Sequence, residues 1–381
     1  RSILKMPSNN LIKIACAGAG KTWDICHEAL HTVNGTDFNK RIAIISYTNK
    51  GIQAIETEIK NQNYGVLHHR ITIKSWYTFL LSELIKPYQT YLFEINEIKS
   101  LDFSRTYGYV NKHVIGSKAR YMSSNENIIS NEASELVIQL NNRSNGEVIR
   151  RLERIYDTIY FDEVQDLAGY DLEIIRLLTS SAIRIICVGD PKQATFTTNT
   201  GKKNKNISGK NMEIFFNELV EKDQITMISN LTSRRFNLDI CTFANIVYPV
   251  KNLMNTSMNI VTDHDGVFMI LESDVKDYYA HYNPQILRFD KKTDTMNLSA
   301  MNFGECKGLT FDRVMIFPNK TFLGFLVNGK VLGSPEKYYI AATRSRYSLV
   351  FVVKKLPKKD NMIDVVISCG NKNINGKKIV F

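Results

Sequence analysis

The chain has 381 residues, 44% of them apolar, with a formal net charge of +11. That length suits two or three domains rather than one core, no apolar run approaches the ~18 residues a bilayer crossing needs, and Arg1 to Asn10 lack the apolar centre of a secretory leader. A cytoplasmic protein with no membrane partner is expected, and the positive charge favours a polyanionic partner through counterion release.

The first element is the apolar run Leu11-Ile12-Lys13-Ile14, followed by Ala15-Cys16-Ala17-Gly18-Ala19-Gly20-Lys21-Thr22 and a helical pattern through Leu30. It reads as strand, phosphate loop and helix. The backbone N–H groups of Ala17, Gly18, Ala19 and Gly20 can curl around phosphate oxygens at a helix N-terminus, Lys21 can reach the outer phosphates, and the Thr22 hydroxyl can ligate magnesium. Ile42 to Ile45 form the next strand, before a helix from Lys50 to Lys60. Between 86 and 151 the β-runs give way to a polar, Asn/Ser/Glu-rich and helical stretch that reads as an insertion. Ile159-Tyr160-Phe161 then leads into Asp162-Glu163-Val164-Gln165-Asp166. Adjacent carboxylates behind an apolar strand suit metal-assisted ATP hydrolysis, with Asp162 on the metal and Glu163 orienting and deprotonating the attacking water. Gln165 adds an amide for the bound nucleotide. Ile183 to Val188, Val314 to Phe317 and Leu349 to Val353 complete a pattern of buried parallel strands with crossover helices.

Other residues carry several readings. Gln193, at a strand-to-loop turn, can hydrogen-bond both a γ-phosphate and the attacking water. Lysines gather at 202–205 and 354–359 in loop-like segments; the first reads equally as a phosphate contact and as a solvated turn. Six cysteines, at 16, 26, 187, 241, 306 and 369, show no paired metal-ligand spacing and fit free thiols of a reducing compartment.

Taken in order, these segments resemble those of superfamily 1 DNA helicases of the UvrD/Rep type. The phosphate loop is similar to that family's A-G-A-G-x-G-K-T, and Ser46-Tyr47-Thr48-Asn49-Lys50 to its T-F-T-N-K. Thr72-Ile73-Lys74-Ser75-Trp76 resembles T-x-H-S-aromatic, with Lys74 in place of histidine. Asp162 to Asp166 give D-E-x-Q-D, and Gly189-Asp190-Pro191-Lys192-Gln193 gives G-D-x-x-Q. Ser233-Arg234-Arg235 with Ala244-Asn245 resembles N-Y-R and its downstream A-N. Cys306 to Asp312 resembles S-K-G-L-E-F-D, and Tyr339 to Arg344 resembles Y-V-A-x-T-R.

The resemblance implies an α/β fold of two RecA-like P-loop NTPase motor domains with parallel sheets. Motor domain 1 would span 1–85 and 152–222, a helical accessory insertion 86–151, and motor domain 2 residues 223–381. It further implies an ATP- and magnesium-dependent translocase or helicase on single-stranded DNA, moving 3′ to 5′. Arg235 and Arg344 would stabilise charge on the transferring phosphoryl group when the domains close. Arg234 stands where a tyrosine often stacks on adenine, and its guanidinium plane can stack too. Tyr47, Trp76 and Phe196 occupy base-stacking positions, although aromatics beside strands pack cores as readily. Thr48, Asn49 and Ser75 would bond the phosphate backbone. Thr310 and Gly304 replace a ribose-contacting glutamate and a common histidine. The stretch 246–300 is too short for the large second accessory domain. Also open are a forked or 3′-tailed duplex or RNA as substrate, a translocase that does not unwind, and an ATP-gated sensing subunit working with a partner such as a nuclease in DNA repair or phage defence.

Overall fold

Continuous burial along the central strands accounts for the architecture. The computed structural model describes residues 9–35, 40–93, 98–104, 113–123, 126–199 and 201–381; residues 1–8, on which most of the leader reading fell, lie outside it. The chain divides into two compact units, Arg1–Ile14 with Lys21–Ser229 and Ala15–Gly20 with Asn230–Phe381.

In the first unit, β1 (Leu11–Ala15), β2 (Ile42–Ser46), β3 (Ile71–Ser75), β4 (Thr158–Phe161), β5 (Arg184–Gly189) and β6 (Thr226–Asn230) form a sheet in the order β3-β2-β4-β5-β1-β6. The pairs β2–β3, β2–β4, β4–β5 and β1–β5 are parallel. Ala43, Ile45, Ile159, Phe161, Ile185 and Cys187 face one core, while Ile42, Ile44, Tyr160, Ile186 and Val188 face the other. Both sheet faces are therefore covered, which is why the strands read as continuous apolar runs. Each such Ile or Val contributes roughly 1.5–3 kcal/mol by leaving water. α1 (Lys21–Val33) and α2 (Asn49–Gln62) cover the second face through Ile25, Ala29, Val33, Ile55 and Ile59. α3 (Ala133–Arg143), α4 (Glu147–Ile155), α5 (Tyr170–Thr179) and α6 (Met212–Glu221) cover the first.

The described part of 86–151 is mainly helical, with one two-residue parallel pair, Leu101–Asp102 against Ile128–Ile129. Inside it Arg120 grips Glu135 with two bonds, of 3.0 and 2.6 Å, a fork that suits a buried carboxylate. The strand Thr226–Asn230 follows residue 223 yet belongs to the first sheet.

In the second unit, β7 (Gly266–Leu271), β8 (Gln285–Arg288), β9 (Met301–Asn302), β10 (Phe311–Phe317), β11 (Ser345–Val353), β12 (Met362–Cys369) and β13 (Lys372–Ile379) take the order β9-β8-β10-β11-β7-β13-β12. Five strands are parallel, but β13 is antiparallel to both β7 and β12. A two-residue turn can join only antiparallel strands, and Gly370 (φ 69°) supplies the positive φ it needs. α7 (Leu238–Val247), α9 (Lys320–Asn328) and α10 (Glu336–Ala342) pack one face, and α8 (Val275–Tyr282) the other. The stretch 246–300 holds β7, α8 and β8, elements of the sheet domain itself. Each unit is thus a mixed α/β layer around a largely parallel sheet, as in two RecA-like domains. No helix among the described residues is long and apolar enough to cross a membrane.

Candidate functional site

The two carboxylates sit where β4 ends. The Asp162 N–H donates to the Ile45 carbonyl at 2.8 Å, adding one rung to the β2–β4 ladder, and Asp162 Oδ1 accepts from the Glu163 N–H at 3.0 Å. Glu163 adopts φ 55° and ψ 42°, a left-handed conformation uncommon for a residue with a Cβ. That sharp turn brings Gln165 back toward it. Gln165 Nε2 donates to Glu163 Oε2, and Gln165 Oε1 accepts from the Asp190 N–H at 3.1 Å. Asp190 Oδ2 accepts from Gln193 Nε2 at 2.7 Å, while its Oδ1 accepts from the Lys192 N–H at 3.1 Å. Glu163, Gln165, Asp190 and Gln193 thus form one hydrogen-bonded row across the carboxyl ends of the adjacent strands β4 and β5. Ligands of open parallel sheets bind at such strand ends. Gly189 is required here, since a Cβ would lie 2.7 Å from Gln165 Oε1 and 2.9 Å from Val164 Cγ2.

Gln165, expected to touch the nucleotide, has no exposed surface. Both ends of its amide are engaged within the protein, where it bridges Glu163 and the Asp190 N–H. The Asp190 carboxylate, which orients Gln193, was read only as part of a motif.

Lys21 and Thr22 open α1. Cys26, one turn beyond Thr22 on the same helix face, has its thiol pushed up to about 12 by burial, then by Glu58, then by Asp162. The charge of Asp162 therefore reaches the face of α1 that carries Thr22. A hydroxyl and one carboxylate, completed by phosphate oxygens and water, suit magnesium, which prefers few protein ligands.

The residues expected on nucleic acid separate into groups. Tyr47, Asn49 and Ser75 line one half-open cavity of about 560 Å³. Thr48 caps α2, its side chain accepting from the Gly51 N–H at 3.0 Å, and Ser75 likewise accepts from the Thr78 N–H at 3.1 Å. Phe196 is 44% exposed. Trp76 corrects the expectation: it is 1% exposed, packs edge-on to Phe161 with centroids 5.9 Å apart, and cannot stack on a base. The next residue faces the cavity instead. Tyr77 stands 5.9 Å from the Tyr47 ring and 5.0 Å from Phe103, all three lining it. Where the strand ends and the short helix Trp76–Phe79 begins, the period changes from two to 3.6, so alternation alone does not assign these faces.

Asp171 is another residue the sequence did not single out. It is 2% exposed and accepts from Trp76 Nε1 at 3.1 Å, from the Ser134 and Thr198 hydroxyls, and from the Ala168 N–H at 3.4 Å. Burial raises its carboxyl above the usual range, against those four donors. It ties together α3 of the insertion, the segment after Gln193 and the start of the helix at Trp76. Lys74, at the position of the family's histidine, donates to Ser82 Oγ at 2.8 Å and pairs with Glu83, which also accepts from Arg151 at 3.2 Å. Burial opposes the charge on Glu83, but the two cations outweigh it and hold its carboxyl below the usual range.

In the second unit, the loop Ala15–Gly20 packs beside the segment that begins at Asn230. The Cys16 N–H donates to the Asn230 carbonyl at 3.0 Å, the Ala17 N–H to the Tyr339 hydroxyl at 3.4 Å, and the Arg234 N–H to the Gly18 carbonyl at 2.8 Å. Gly18 (φ 77°) admits no side chain, since a Cβ would collide with Ser233 Oγ and lie 2.6 Å from Arg235 Cβ. Arg235 Nη1 donates to the Thr343 carbonyl at 3.0 Å. Arg344, buried, donates to the carbonyls of Ile340 at 2.8 Å and Leu309 at 3.1 Å. Burial, then the neighbouring Arg344 charge, lowers the pKa of Arg235. Arg234 is exposed.

Residues 68–213 match the UvrD/REP helicase N-terminal domain. The matched stretch carries the D-E-x-Q-D and G-D-x-x-Q segments, Asp162 to Asp166 and Gly189 to Gln193. Among solved structures, arterivirus nonstructural protein 10, a helicase solved in complex with DNA, is similar at 11% identity and a TM-score of 0.45, with 90% of this chain and 60% of that chain covered. The chain thus spans about 60% of the length of that protein. No curated protein matches it.

Proposed function

We propose that the chain is an ATP-dependent motor on single-stranded DNA, a translocase or helicase moving 3′ to 5′. The observation that carries this reading is the row Glu163–Gln165–Asp190–Gln193, in which a catalytic-type carboxylate and an amide suited to sensing the γ-phosphate share one hydrogen-bond path. A binding module has no use for that coupling. Ala17 to Gly20, Lys21 and Thr22 would take the phosphates, with Arg234 beside the base. Magnesium, held by Thr22 and Asp162, would neutralise phosphate charge. Glu163 would accept the proton of the attacking water, and Gln193 would report the state of the γ-phosphate. Burial, then the Arg344 charge, disfavours the charge of Arg235, as would suit residues that meet a polyphosphate. Tyr47 and Phe196 would stack on bases, and Thr48, Asn49 and Ser75 would bond phosphates.

The test is ATP turnover with and without single-stranded DNA, using Glu163→Gln as control. Strong stimulation, reduced roughly 10²–10⁴-fold in the variant as for loss of a general base, supports a DNA-coupled motor. Turnover indifferent to DNA refutes it. Blunt and 3′-tailed duplexes then separate unwinding from tracking alone.

A further inference from the structure

We propose that a lysine-rimmed groove in the second unit docks an acidic, amphipathic peptide segment of a partner protein. The groove, of about 830 Å³, lies between α9, the end of β11 and the loop that follows. That volume is within the ~300–1,000 Å³ of clefts that take ligands. Its floor is aliphatic, with Leu323, Val327 and Leu356 partly open to solvent. Lys320, Lys330, Lys354, Lys355 and Lys358 stand around it, all exposed, against a single carboxylate, Glu272.

Local structure builds this rim. α9 ends at Gly329 in the left-handed conformation (φ 67°), which turns the chain back. A Cβ on Gly324 would lie 3.3 Å from Lys330 Cδ, so the glycine lets the lysine stem cross the helix. The bend after β11 sets Lys354 and Lys355 opposite. Among the described residues none of the five lysines joins an ion pair, so their charge is available to a ligand.

The chemistry selects the partner class. Among the described residues no aromatic ring and no arginine lines the groove; bases have no π-face to stack on, and phosphates would meet only the point charges of ammonium groups. Aliphatic floor and ammonium rim instead complement a helix or strand with leucine-type side chains inward and carboxylates outward. The lysine run 354–359 thereby gains a role that catalysis does not assign it.

The experiment titrates the full chain into a labelled peptide bearing Leu at i, i+3, i+4 and i+7 on a Glu background, by fluorescence anisotropy. Saturable, salt-sensitive binding is expected, weakened at least about tenfold by Lys354→Glu with Lys355→Glu and also by Leu323→Ser, with thermal transitions unchanged. The proposal is overturned by absence of saturable binding, by equal binding of a peptide with Ser for Leu, or by displacement with an oligo-dT strand, which would make the groove a nucleic-acid patch. None of these readouts depends on ATP turnover, so failure here is distinct from failure of the motor reading.

Discussion

In the first unit Glu163, Gln165, Asp190 and Gln193 bond to one another across two strand ends, whereas in the second Arg235 and Arg344 direct their guanidinium groups at main-chain carbonyls. The carboxylate–amide row is bonded within the protein, so removing one member takes a bond from the next. Arg235 donates to the Thr343 carbonyl, Arg344 donates to the Ile340 and Leu309 carbonyls and to the Thr343 hydroxyl, and burial, then the Arg344 charge, lowers the pKa of Arg235. An anion puts charge on both sides of a guanidinium bond, which a carbonyl does not, so a phosphate would compete with these carbonyls for the two arginines. One region pairs carboxylates with amides, and the other bonds two cations to carbonyls.

The sharpest way to break this contrast is Arg235→Ala. If the side chain serves as an arginine finger, kcat should fall about 10³-fold or more, while the loss of one partly exposed bond to Thr343 leaves the thermal transition nearly unchanged. A variant that melts early yet turns over normally would make Arg235 a structural strut. Next in size is Gln165→Ala. A buried bridge between Glu163 and Asp190 is lost, costing about 1–3 kcal/mol in stability. Because Gln165 acts through Glu163, kcat should fall while KM for ATP holds. A change confined to KM would restore the direct nucleotide contact that its burial opposes.

A similar contrast divides two aromatics within the first unit. Trp76→Phe removes the indole N–H from buried Asp171 and should cost about 1–3 kcal/mol in stability without changing affinity for single-stranded DNA. Phe196→Ala should do the reverse, weakening DNA binding by about 1–3 kcal/mol at constant stability. Equal effects of both substitutions on DNA affinity would return Trp76 to the binding surface.

These pairs also mark how far the sequence carried. Strands β1, β2, β4, β5, β10 and β11 and the turns that follow them were legible because both sheet faces are buried and the chemical residues stand within a few positions of each strand end. The side chains of Trp76 and Asp171 were not, because their meeting spans 95 positions, with Ser134 a further 37 from Asp171. No local period encodes such a junction. The C-terminal hairpin escaped for another reason: β12 is exposed along much of one face, so its apolar pattern is weak. The rim lysines are scattered over 320–358 and become one feature only when α9 packs beside β11.

The smallest effect lies away from the reactive groups and tests the second unit's own stability. His264 is stacked between Phe268 at 4.1 Å and Tyr282 at 4.6 Å, with Nε2 3.0 Å from the Tyr278 hydroxyl. Burial, then Arg313, pulls its pKa down from 6.5 to about 4, with Asp263 and Asp265 opposing and Lys378 adding. The folded imidazole therefore stays neutral where the unfolded one protonates. Stability is full above pH 6.5 and declines as pH falls toward 4, because the unfolded chain binds the extra proton. Between pH 7.5 and 5.5 this linkage amounts to about 1 kcal/mol, read as a falling denaturant midpoint that His264→Gln should flatten. A midpoint that stays level in the parent protein would mean that the folded imidazole takes up the proton as readily as the unfolded one, with the aromatic stack loose enough to admit water.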